Sequence, residues 1–195
     1  MKRIVIIIII LLIILIVYRS SYKMCNVVAY DGEVYEVQEC PLKQDCADRL
    51  ASIKKGLDSI VDYCVFNKLP SQSDSIMLKE RWEQCTIKEM NYFNSEVAFV
   101  VNKGSEFRLC LKRKDREQLD EYNTSIHVCI HELAHLLSHG YGHGDEFKKN
   151  FDFLTLAGIK VGAYTPEDFV KNPKKYCGFL INHSPCDDGR CTLQD

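Results

Sequence analysis

Ile4 to Val17 is an unbroken apolar run, and it sets the first limit on how this chain can fold. A strand of that length without a polar residue is rare in a globular protein. Helical rise makes the run roughly 21 Å long, against a hydrocarbon core of ~30 Å. Lys2, Arg3 and Arg19 flank it. Such side chains snorkel and a bilayer thins locally, so the run is expected to be an uncleaved membrane anchor. A cleaved signal peptide is the competing reading, but no A-x-A site follows, and Arg19 and Lys23 stand where cleavage would fall. The expected division is an anchor over residues 1–23 and one domain over 24–195. The basic residues before the run favour a cytosolic N-terminus. That puts the domain on the far side of the membrane, luminal or extracellular.

Beyond the run, 46% hydrophobic and 27% charged residues can build a core. The formal charge is −2 with both signs interspersed. No basic stripe offers a footprint for nucleic acid, which is not expected as a partner. All ten cysteines follow the run, and an oxidising compartment would pair several of them. Cys110 and Cys129 fall inside predicted elements and read as small buried hydrophobes. Cys177, His183, Cys186 and Cys191 could instead hold a structural zinc, although the paired C-x₂-C of common zinc modules is missing and disulfides compete.

Val27 to Val37 reads as a hairpin around Asp31-Gly32, the dipeptide a type I′ turn prefers. Asp45 looks like an N-cap, followed by Ala47, Leu50, Ile53, Leu57, Ile60, Val61 and Cys64 at helical spacing up to Leu69-Pro70. Ser71 to Ser75 is expected to be a loop, and Ile76 to Tyr92 fits helix and strand equally. Val97–Val101 and Phe107–Lys112 predict a second hairpin. Helices are predicted from about Thr124 to Ser138 and from Asp145 to Gly158, and a short last one starting at Thr165-Pro166.

Within the first of these, His131-Glu132-Leu133-Ala134-His135 places two imidazoles four residues apart. On a helix they point the same way within ~40°, so both can reach one Zn²⁺ at ~2.0–2.1 Å. Glu132 lies about 100° round the helix, beside the open coordination position. A carboxylate there can take a proton from zinc-activated water and pass it to a leaving amine. A catalytic zinc needs a third protein ligand. Gly140, Gly142 and Gly144 let the backbone reverse and bring His143 over the metal, with Glu146 and His139 as alternatives. His127 reads as a surface or outer-sphere residue.

The H-E-L-A-H motif with Gly142-His143-Gly144-x-x-Phe147 resembles zincin metallopeptidases of the WLM and SprT-like type. In those families a final histidine, often followed closely by phenylalanine, completes the zinc site. Ala98–Gly104 and Leu109–Lys112 are similar to the hairpin bordering the substrate cleft in zincins. Tyr176-Cys177-Gly178 with Ser184-Pro185 is similar to the tail of membrane-anchored members in large DNA viruses. The resemblance implies an α+β fold, a single zincin-like domain with a short twisted sheet beside the H-E-x-x-H helix, behind a transmembrane helix. It implies a zinc-dependent peptidase acting on proteins or peptides. His131, His135 and His143 would bind Zn²⁺, and Glu132 would be the catalytic base. The alternative is a catalytically inactive, zinc-stabilised membrane interaction module.

Overall fold

A computed structural model describes residues 2–20, 23–91, 97–101, 104–112, 118–187 and 191. The apolar run lies in α1 (Lys2–Ser20). Its described side chains, Ile4 to Val17, are all 49–65% exposed, unlike a helix packed on a core. Among the described residues no helix is long and apolar enough to cross a membrane. The side chains of the flanking basic residues lie outside the described set.

β1 (Met24–Val28) and β2 (Val34–Gln38) form the expected antiparallel hairpin, with Val28 opposite Val34. Its turn is not type I′. Only Gly32 has positive φ, at 85°. The Ala29 N–H closes on the Glu33 carbonyl at 2.9 Å, so the connection is a three-residue loop, the next commonest solution for a hairpin.

α2 (Lys43–Asn67) is the long helix of the core. Every position picked out by its periodicity, from Ala47 through Cys64, is buried. Full burial of each such Leu or Ile stabilises the fold by roughly 1.5–3 kcal/mol. The helix starts before Asp45, and its N-cap position is Leu42, which makes no side-chain cap. Asp45 instead sits in the first turn, where its charge suits the helix dipole.

The ambiguous stretch is a helix followed by a strand. Ser71 opens α3 (Gln72–Glu83) as a true N-cap, its Oγ accepting the Asp74 N–H at 3.1 Å, so the polar segment is a helix start and not a loop. Trp82 near its end is buried, donates to Asp58 at 2.7 Å and packs edge-on against Phe107 at 5.9 Å.

β3 (Thr86–Glu89), β4 (Ala98–Val101) and β5 (Glu106–Leu109) make a three-stranded sheet in the order β3-β5-β4. β4 and β5 are the expected hairpin; residues 102–103 of its turn lie outside the described residues. β3 adds parallel to the far side of β5, which leaves β4 at the edge.

α4 (Tyr122–Leu137) buries Ile126, Ile130, Leu133, Leu136 and Leu137, while Val128 is only partly covered. α5 (Asp145–Lys160) follows. Phe147 lies beside His131, and Phe151 lies beside both His131 and His127, so α5 runs back antiparallel along α4.

The helix expected at Thr165 does not form. Asn123 holds that segment through both ends of its side-chain amide, Oδ1 accepting the Thr165 N–H at 2.9 Å and Nδ2 donating to the Thr165 carbonyl at 2.8 Å. The chain closes with a hairpin of β6 (Lys174–Tyr176) and β7 (Phe179–Ile181), which the sequence pattern did not signal.

Two cysteine readings change. Cys110 is not an isolated buried thiol but is disulfide-bonded to Cys177, and Cys186 is bonded to Cys191. These bonds consume the three cysteines of the alternative tail zinc site. Cys129 is a free, buried thiol, as expected.

Candidate metal centre

Burial of the apolar side of α4 leaves His131, Glu132 and His135 half-buried on the side facing β4. Together with Ala98, Phe99 and Val100 of that strand they line a cleft of about 440 Å³. Gly140, Tyr141, Gly142 and His143 close one end. Gly142 takes φ +79°, a conformation that L side chains resist, and it turns the chain back so that His143 returns toward the helix.

The three imidazoles converge. His131 Nε2 and His143 Nε2 are 3.0 Å apart, and one ring nitrogen from each of His131, His135 and His143 lies within 4.8 Å of the others. Two nitrogens bound to one tetrahedral zinc would be about 3.3 Å apart. The donor set therefore fits that ion, and imidazole is a suitable ligand for it. Burial first, and then the neighbouring His135 and His143, push the His131 pKa down to about 3. The ring is thus neutral, the form that ligates metal. Phe147, itself buried, forms a floor beneath all three rings, with centroid distances of 4.8, 4.3 and 4.6 Å to His131, His135 and His143.

The other third-ligand candidates point elsewhere. The Glu146 carboxylate accepts the backbone N–H groups of His139 at 2.7 Å and Gly140 at 3.1 Å. The His139 ring lies 3.2 Å from Asp74. His127 is not a surface residue. It is 4% exposed among Phe151, Tyr164 and Phe169, and its Nδ1 finds no partner among the described residues. Burial lowers its pKa to about 4, with Asp187 and a bond to the His183 backbone opposing the shift.

Sequence reasoning also missed Arg81. From α3 it donates to the carbonyls of Leu136 and Ser138, closing the end of the helix that carries the motif. No local pattern announces it, because the acceptors lie 55 and 57 residues from the donor.

A profile of the WLM domain matches residues 63–183, from within α2 to beyond the last strand. The chain belongs to the WLM family. The matched segment includes both walls of the cleft and every histidine at its centre. An uncharacterized protein of Acanthamoeba polyphaga mimivirus is 30% identical to this WLM protein over 151 residues, covering 76% of this chain and 77% of that one. Among solved structures, Wss1 from Saccharomyces cerevisiae aligns with a TM-score of 0.44 at 20% identity, over 63% of this chain and 83% of that one. Wss1 from S. pombe aligns with a TM-score of 0.45 at 24% identity, over 70% and 99% respectively.

Proposed function

We propose that this WLM protein is a membrane-anchored zinc peptidase that hydrolyses peptide bonds in protein or peptide substrates. The observation that carries the reading is the convergence of His131, His135 and His143 in a cleft that Glu132 also lines. The three imidazoles would hold Zn²⁺, and three protein ligands are the count of a catalytic and not a closed structural site. When bound, zinc would supply Lewis acidity there for water activation and for polarising the scissile carbonyl.

The protein's own groups do the rest. Glu132, one residue on from His131 and so turned about 100° from it, takes a proton from the attacking water and delivers it to the leaving amine. Phe147 keeps the ligand rings packed and shields their inner faces from water. Ala98 to Val100, on the edge strand, form the opposite wall against which a substrate segment would lie.

The anchor is inferred from the exposed apolar side chains of α1, although no described helix is long and apolar enough to cross a membrane. A luminal or extracellular domain is supported by the two disulfides, which persist in oxidising compartments. Release of the full chain from membranes by alkaline carbonate would refute the anchor.

Glu132→Gln tests the chemistry. It should lower peptide hydrolysis by about 10²–10⁴-fold, the usual contribution of a general base, while zinc stoichiometry stays at one per chain. Undiminished turnover would refute the role of Glu132. Zinc binding by a wild-type chain that cleaves no peptide would favour the inactive interaction module instead.

A further inference from the structure

The excursion that returns His143 to the metal-binding pair is intrinsically loose. It runs from the end of α4 at Leu137 to the start of α5 at Asp145 and contains Gly140, Gly142 and Gly144. Each glycine adds conformational freedom that must be lost when the ligand is held in place. His143 itself is exposed, so packing alone does not fix it. The first end is secured on both helices: the Ser138 hydroxyl donates to the Ala134 carbonyl of α4 at 2.7 Å and accepts from Asn150 of α5 at 3.0 Å. The Asn150 bond reaches α5, but seven residues beyond His143.

Glu146 joins the two ends a second time, nearer to His143. It belongs to the first turn of α5, three residues after His143, and an acidic side chain there would favour the helix dipole wherever it pointed. Its carboxylate instead turns back across the excursion. Oε1 accepts the N–H of His139 at 2.7 Å and Oε2 the N–H of Gly140 at 3.1 Å. These charge-assisted bonds close a ring from His139 to Glu146, and His143 lies inside it. We propose that Glu146 is a positioning residue for the metal centre, holding the glycine-rich ring closed so that His143 faces His131 and His135 before an ion arrives. It touches neither metal nor substrate in this role. Its effect is preorganisation, which lowers the ordering cost of binding.

The inference rests on the zinc reading above, and its test separates the two. Zinc affinity of the full chain is measured by chelator competition for wild type, Glu146→Ala, Glu146→Gln and His143→Ala, with the melting temperature of each metal-free protein beside it. The d–d absorption of the cobalt(II)-loaded proteins reports ligand geometry. Glu146→Ala should weaken zinc binding by about 10–100-fold, the range for residues that orient metal ligands, and should shift the cobalt spectrum toward that of His143→Ala. Glu146→Gln keeps a single acceptor oxygen and should lie between alanine and wild type. Should the alanine variant fail to fold, the glutamine variant decides, and wild-type affinity there overturns the proposal. A lowered melting temperature with unchanged affinity and spectrum in Glu146→Ala marks a purely structural residue and also overturns it. Loss of zinc in His143→Ala but not in the Glu146 variants removes only this role. A wild type that binds no zinc removes the metal reading and this inference with it.

Discussion

A neutral histidine sealed among aromatic rings gives the fold a sensitivity to acid. His127 has a folded pKa of about 4, lowered by burial, whereas the unfolded chain takes up that proton near ~6.5. Because the folded value is the lower one, the unfolded state binds more protons between the two. Its contribution is therefore complete above about pH 6.5 and is lost as pH falls toward 4, by on the order of 3 kcal/mol in total. His131, also depressed, acts in the same direction in the metal-free protein. Urea unfolding of metal-free protein from pH 7 to 4.5 should show a shallower loss of stability for His127→Leu than for wild type, and equal slopes would refute this account. The same residue shows where sequence reading stops at this scale. His127, His131, His135, His139 and His143 recur every four residues, and spacing alone identifies the central pair. What encloses His127 comes from Phe151, Tyr164 and Phe169, and no local pattern connects those positions to it.

Secondary-structure elements were legible where their own periodicity sets which side is buried, and illegible where a distant partner decides. The buried positions of α2 follow directly from helical spacing. Ile76 to Tyr92 was ambiguous because it joins a short helix to a four-residue strand, each too brief to establish a period. Thr165-Pro166 has the composition of a helix start, yet two hydrogen bonds from Asn123 on α4 hold it in another conformation. The capping of α4 is another long-range effect, since Arg81 supplies from α3 the donors that its last carbonyls lack within the helix. Arg81→Ala should cost about 1.5–3 kcal/mol, the usual range for hydrogen bonds to a charged group. The denaturation midpoint should fall accordingly, and an unchanged midpoint would show that water serves those carbonyls equally well.

Across the whole molecule, the bond between Cys110 and Cys177 joins the end of β5 to the β6–β7 hairpin over a separation of 67 residues. Tyr176 reinforces the junction by donating to the Cys110 carbonyl, and the Cys177 N–H donates to Asp120 at 2.9 Å. Replacing both cysteines by alanine should destabilise the domain by about 2–4 kcal/mol, visible as a lower unfolding midpoint, whereas an unchanged midpoint would mean that the hairpin is held without it. The even cysteine count suggested such bonds, but pairing depends on the packed chain, which is why Cys110 was misread. The site itself is distributed differently. His131, Glu132, His135 and His143 all come from one stretch of α4 and the reversal after it, while the facing wall of the cleft comes from β4 some thirty residues earlier. Under the proposed peptidase reading, reactivity would thus lie in a single contiguous cassette and selectivity in a separate one. Under that reading, changes along Ala98 to Val100 would alter which sequences enter the cleft without disturbing the residues that would cut them.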